Sequence, residues 1–213
     1  MQVKAALLGV MLGLCLGNTV QAAPLVEEAK PSLALLQQNY EEERENLQVA
    51  QDYAVALARD GQYEPALAIF KNLSEYAGEQ KKMWFDYAVV AYWAGDYATA
   101  VRIYEDQFLH MSQAVPDYVR VSVASAYFKL ERYNEAWQLY HQSVQDGNQQ
   151  ARLWEAESLA YMGKSDEASK IYEVLLEEQP ENLEAYSGQA KLLFLRGDAI
   201  GAVEAVDKAL ALI

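Results

Sequence analysis

The sequence holds one cysteine, Cys15, and two histidines, His110 and His141. That scarcity excludes a disulfide framework and a Cys- or His-rich zinc site. Basic residues are also few: 17 Lys and Arg stand against 31 Asp and Glu, for a net charge of −14. Phosphate backbones are bound by clustered Lys and Arg, so this field argues against a nucleic-acid partner and against anionic membrane surfaces. A cationic partner would be attracted instead. The eleven glycines fall singly, which leaves no phosphate-cradling loop. No period-two alternation of the kind a half-buried strand needs occurs after Ala23. The chain reads as all-α beyond that point.

One long apolar run is present, from Ala5 to Gly17, behind the single cation Lys4. It falls short of the roughly 20 residues that a membrane span requires. Small residues follow, with Val20 and Ala22 at the positions where a signal peptidase wants them. The pattern predicts a secretory signal peptide over residues 1–22, removed after Ala22, with no membrane span left after cleavage. Leu14 is too bulky for a lipoprotein box, so Cys15 leaves with the signal. Removing the leader takes away Lys4 and no acid, so the net charge falls from −14 to −15.

Self-similarity organises everything else. Five segments align, beginning at Asp60, Ala94, Leu130, Met162 and Arg196, and their second residues are Gly61, Gly95, Glu131, Gly163 and Gly197. The intervals between them are 34, 36, 32 and 34 residues. Each segment closes on a small residue: Ala66, Ala100, Ala136, Ala168 or Ala202. Four residues later stand Phe70, Tyr104, Tyr140, Tyr172 and Val206. A second small series, Ala54, Ala88, Ala124, Ala156 and Ala190, lies upstream. The unit is a helical hairpin. Glycine ends the first helix in the left-handed region, alanine lets two helices approach, and the aromatic on the same face fills the space beside them.

On these positions the unit resembles the tetratricopeptide repeat, over residues from about 47 to 213. The resemblance implies an all-α, right-handed superhelical solenoid of about five hairpins, at about 47–80, 81–114, 117–148, 149–182 and 183–213. Residues 23–46 are expected to form an N-terminal segment and capping helix, beginning near Pro31 and running through Tyr40 into the acids up to Glu45. Glu131 replaces the turn glycine, which costs roughly 1 kcal/mol if it is held left-handed. Ser165 and Ala199 replace the tyrosine after the turn, and only the fourth repeat keeps its closing proline, Pro180. Leu210, Leu212 and Ile213 stand at the end of the last second helix, without a polar-faced cap after them. An end-on contact with a partner or another copy is expected there.

No catalytic constellation is evident, and the chain is expected not to be an enzyme and to carry no cofactor. His110 and His141 belong to second helices, where surface or interhelical packing is the better account. Pairs such as Glu155 and Glu157 are too common in an acidic helical protein to imply acid–base work. Binding is the remaining role. In stacked hairpins the first helices line the concave face. The resemblance places Phe85, Tyr92 and Trp93, then Tyr118 and Phe128, then Tyr161 and Phe194 on that face. Its charged members are Arg59, Lys82, Lys129, Glu157, Glu184 and Lys191. No Asn occurs among them, which argues against the family's clamp for C-terminal carboxylates. Phe85, Tyr92 and Trp93 are read as one hydrophobic strip, with Trp93 foremost.

Three roles follow. The first is a non-catalytic periplasmic scaffold for cell-envelope assembly or export, holding an envelope protein or peptide in the concave groove. The second rests on a similarity of Ala58–Leu67 and Tyr87–Tyr104 to the periplasmic repeats of outer-membrane poly-N-acetylglucosamine exporters. It implies a module for exopolysaccharide export that binds a cationic glucosamine polymer. The third is a self-associating repeat protein.

Overall fold

In this computed structural model, residues 31–76, 78, 80–109 and 115–212 are described. The signal peptide expected over residues 1–22 lies outside them, as do His110 and Ile213. The described helices fall within one compact unit, Leu33–Ile213. In chain order they are α1 (Leu33–Glu42), α2 (Leu47–Arg59), α3 (Tyr63–Ser74), α4 (Lys81–Trp93), α5 (Tyr97–Gln107), α6 (Asp117–Lys129), α7 (Tyr133–Gln145), α8 (Ala151–Tyr161), α9 (Ser165–Glu178), α10 (Leu183–Leu195) and α11 (Ala199–Leu210). From α2 onward they pair as five antiparallel hairpins. No strand occurs among the described residues.

Each hairpin turn has one solution. Gly61, Gly95, Gly163 and Gly197 sit at positive φ. The amide after each reaches back over the turn, as in Gln62 N–H to the Leu57 carbonyl at 2.9 Å and Asp198 N–H to Leu193 at 2.9 Å. The glycine's own amide bonds one carbonyl further on, as in Gly61 to Ala58 at 3.1 Å. This double closure satisfies the carbonyls that a helix end leaves open. Glu131 makes the same closure at φ 60, through Arg132 N–H to Tyr127 at 2.9 Å. It is the one non-glycine residue at positive φ among the described residues. Helix starts are set by Asn46, Asp96, Asn182 and Asp198, whose side chains accept amide hydrogens of the first turn.

The alanine series lie at the helix crossings: Ala54, Ala66, Ala88, Ala100, Ala124, Ala136, Ala156 and Ala168 are fully buried. Phe70, Tyr140 and Tyr172 are buried beside them, and Phe70 stacks on Tyr87 of the next hairpin at 5.3 Å. Fully burying one such ring is worth about 1.5–3 kcal/mol. The last hairpin differs. Val206 is exposed, Ala202 is only half-buried, and Ala205 is the one buried residue on α11, which packs chiefly on α10.

α1 packs on α2 and sets Tyr40 against Tyr53 at 5.2 Å. It stops at Glu42 rather than continuing to Glu45. Asn46 explains the stop: its amide group donates to the Glu43 carboxylate at 2.7 Å, while its oxygen accepts from the amides of Gln48 and Val49.

First helices approach one another in sequence, α2 on α4, α4 on α6 and α8 on α10, whereas among the described residues no two second helices make more than marginal contact. The first helices therefore form the inner layer. One step is missing from this series, because α6 and α8 do not pack along their lengths. The buried core divides within α8, with one body running from Ala50 to Ala151 and another from Ala156 to Leu192, while α7 packs closely on α8. Side chains bridge the seam: Phe128 on Tyr161 at 5.2 Å, Tyr140 on Trp154 at 5.7 Å, and His141 on Glu155 at 2.6 Å. On the α6 side, buried Arg120 reaches Asp146 at 2.8 Å, Ser143 at 3.0 Å and Asp117 at 3.1 Å, tying α6 to the end of α7.

Candidate binding face

The inner helices all run in the same direction, so equivalent residues stand in rows across the layer. The C-terminal ends carry an aromatic edge. Trp93 of α4 is 42% exposed, Tyr161 of α8 36% and Phe194 of α10 70%, with half-buried Phe128 of α6 between the first two. The N-terminal ends carry a polar edge of Lys82, Tyr118 and Glu184. Tyr118 is 53% exposed. Its phenol is pushed above its ordinary pKa by partial burial and by the charge of Asp86 on the neighbouring helix. Asp86 is also held by Gln51 at 2.5 Å and by Lys82 at 3.3 Å, which joins α2 to α4 across the layer.

The expected strip of Phe85, Tyr92 and Trp93 is not continuous. Phe85 turns into the hairpin and packs on buried Phe108 at 4.8 Å. Tyr92 is half-buried beside Tyr97 at 6.0 Å. Trp93 alone of the three is exposed. A different cluster forms at the seam. Tyr161 stacks on Tyr133 at 4.9 Å and meets the edge of Phe128, while the ammonium of Lys191 lies 5.3 Å over its ring. Lys191 also pairs with Glu157 at 2.6 Å, and this hydrogen bond raises the Lys191 pKa against the opposing effect of burial. The two residues are 34 positions apart in sequence and face each other across α8 and α10. Arg59 and Lys129 stand exposed at the ends of α2 and α6, beside the aromatic edge.

Sequence reasoning passed over Trp154, which stands exposed on α8 one helical turn from Glu157. It also passed over Gly188, and a glycine inside an otherwise regular helix was the available signal. A Cβ at Gly188 would lie 2.5 Å from the Tyr172 ring. Tyr63, which follows the first turn glycine, is exposed.

His141 is engaged on both ring nitrogens, Nδ1 with Glu155 and Nε2 with Gln145 at 2.9 Å, and its ring stacks on Trp137 at 5.3 Å. This is the geometry of a strut between α7 and α8. Among the described residues, no three His, Cys, Asp or Glu side chains are grouped as metal ligands, and no helix is long and apolar enough to cross a membrane. Leu210 and Leu212 are exposed at the end of α11.

The sequence model of the tetratricopeptide repeat matches residues 52–119 and 155–212, more than half of the 213 residues. The chain belongs to the tetratricopeptide repeat family. The unmatched stretch between those segments holds most of the Arg120 cluster and the Glu131 turn. Among solved structures, the chain is similar to YrrB, described as a tetratricopeptide repeat protein with an unusual peptide-binding site. The TM-score is 0.68 at 19% identity, over 85% of this chain and 93% of that one. A tetratricopeptide repeat protein from Parabacteroides merdae gives 0.68 at 20% identity, covering 84% and 71%. MamA from Desulfovibrio magneticus gives 0.66 at 14% identity, covering 78% and 94%. At these identities the likeness is one of fold. No curated protein sequence matches the chain. The tetratricopeptide fold is a protein-interaction scaffold, and the inner layer is its candidate face.

Proposed function

We propose that this chain is a non-catalytic scaffold of the bacterial periplasm, holding a segment of an envelope protein along its inner helices. One observation carries the reading: Trp93, Tyr161 and Phe194 are exposed along one edge of the inner layer, and the repeat fold does not need such rings in water. Aromatic side chains of this kind dominate interface energetics where a partner can cover them. YrrB, of the same fold, is named for a peptide-binding site. The compartment rests on the leader pattern of residues 1–22.

The test places a photocrosslinking amino acid at Trp93 or Phe194, and at Glu173 on the outer helix α9, in the full chain expressed in a Gram-negative host. Adducts with an envelope protein from the inner positions alone support the scaffold. Equal labelling from Glu173 counts against it. Recovery of the protein in the periplasmic fraction with Ala23 at its N-terminus supports the compartment, and a cytoplasmic protein retaining Met1 overturns it.

Self-association is a second reading, favoured by Ile200, Val203, Val206 and Leu210, which stand exposed along α11. Light scattering at rising concentration decides it, and a persistent monomer removes it.

A further inference from the structure

The inner layer is not uniform. Two residues before the alanine of each inner helix (Ala54, Ala88, Ala124, Ala156 and Ala190), the first four hairpins carry Asp52, Asp86, Ser122 and Trp154, whereas the fifth carries Gly188. Glycine inside an exposed helix weakens it, so a close approach or an opening accounts for it better than chance. Both are present. The Tyr172 ring from α9 lies where a Cβ would be, and above it a cavity of about 390 Å3 opens between α8 and α10. Tyr172, only 2% exposed, forms its floor. Trp154 and Glu157 line one wall, and Glu184, Ser187 and Lys191 the other.

The charges in this cavity do not balance. Lys191 is committed to Glu157 at 2.6 Å and to the Tyr161 ring. Glu184 is exposed at the mouth and makes no ion pair among the described residues. One carboxylate without an ion pair among the described residues, in the first turn of α10, therefore lines the same cavity as the exposed Trp154 indole. Carboxylate and aromatic faces together select a cation with an apolar stem. Resting on the scaffold reading above, we infer that this cavity receives a lysine or arginine side chain of the bound polypeptide. Its stem lies along Trp154 and its head pairs with Glu184. The aromatic edge would supply affinity to any apolar segment, and this cavity would fix the register by requiring one basic residue at a set distance from the residues covering Tyr161 and Phe194.

The test uses the full chain and pools of degenerate twelve-residue peptides, each pool with one fixed central residue: Lys, Arg, Gln, Leu or Glu. Retention on the immobilised protein is compared for the parent, Glu184→Gln, Trp93→Ala and Glu177→Gln. The last removes the same charge from the exposed outer surface of α9 and so controls for the acidity of the whole chain. Lys and Arg pools are expected to exceed the Gln pool by about fivefold, the scale of an exposed ion pair, and to lose that advantage in Glu184→Gln but not in Glu177→Gln. Equal loss in both variants would reduce the preference to net charge and overturn the inference. Pools retained alike and lost together in Trp93→Ala would also overturn it while leaving the groove intact. Chitosan oligomers that displace bound peptide through Glu184, with Lys and Arg pools no better than Gln, would give the cavity to an amino sugar instead. No retention of any pool would remove the peptide groove itself.

Discussion

The second hairpin and the fifth are built on the same template and reach different ends. α4 buries Met83, Tyr87, Ala88, Val89, Val90 and Ala91, and α5 adds Ala100, Val101, Ile103 and Tyr104. α10 buries Ala185, Ala190 and Leu192, and α11 buries only Ala205. The template residues alone do not explain the difference, because both hairpins carry the turn glycine and the two alanines. Neighbours do. The second hairpin is covered on both sides, by α2 and α3 before it and by α6 after it, whereas α11 packs chiefly on α10. In a solenoid each repeat owes much of its stability to the adjacent interface. Ile200, at 77% exposure, shows what such a helix looks like with one face unmatched.

The largest expected break in this comparison is Phe70→Ala. Phe70 is fully buried between the first two hairpins, and its loss should remove about 3–5 kcal/mol, read by urea denaturation. Val203→Ser on α11 is the counterpart and should stay within about 0.5 kcal/mol, as exposed substitutions do. A loss from Val203→Ser as large as that from Phe70→Ala would abolish the gradient.

Gly188→Ala comes next. Its methyl group would meet the Tyr172 ring at 2.5 Å, and overpacking of this kind destabilises by about 1–3 kcal/mol. The thermal midpoint should fall, although alanine is the better helix former. A rise would mean that Tyr172 moves aside freely.

Glu131→Gly should act in the opposite direction. Glu131 holds φ 60 without the freedom of glycine, and relieving it should stabilise the third hairpin by roughly 1 kcal/mol. The same exchange at an ordinary helical position would destabilise. No gain on denaturation would show that the Glu131 side chain compensates its backbone.

The smallest effect concerns acid. Burial pushes the Asp117 carboxyl up, but hydrogen bonds from Ser143, Asn148 and Arg120, with the Arg120 charge, together hold it below its ordinary value of 3.8. A depressed folded pKa contributes stability that is present above 3.8 and lost as pH falls through the lower folded value. Asp117→Asn should therefore flatten the acid limb of a midpoint-against-pH curve and leave the fifth hairpin unaffected. An unchanged limb would place the acid sensitivity elsewhere.

The fold was legible because its template residues act locally. Gly61, Gly95, Gly163 and Gly197 announce turns, and the buried alanines announce crossings whatever surrounds them. The binding face was legible only as a set of rows. Trp93 and Phe194 are exposed on it, but nothing local distinguished Phe85, which its partner Phe108 draws inward from a different helix. The cavity beneath Gly188 depends on α8, α9 and α10 together, and only the interrupted helix hinted at it. The seam between α6 and α8 was marked by a shortened 32-residue interval whose meaning depends on packing.

That seam has a mechanical consequence. The inner layer is interrupted between α6 and α8, while α7 packs on α8 more closely than any other second helix packs on the first helix that follows it. Bending is expected to open the inner layer at that step and to change the span from Trp93 to Phe194 more than spans on either side of it. Paired spin labels on α4 and α10 should report a broader distance distribution than a pair on α2 and α6, and equal widths would remove that expectation. A bound segment crossing the step would then act as a brace, holding the inner layer at a single curvature.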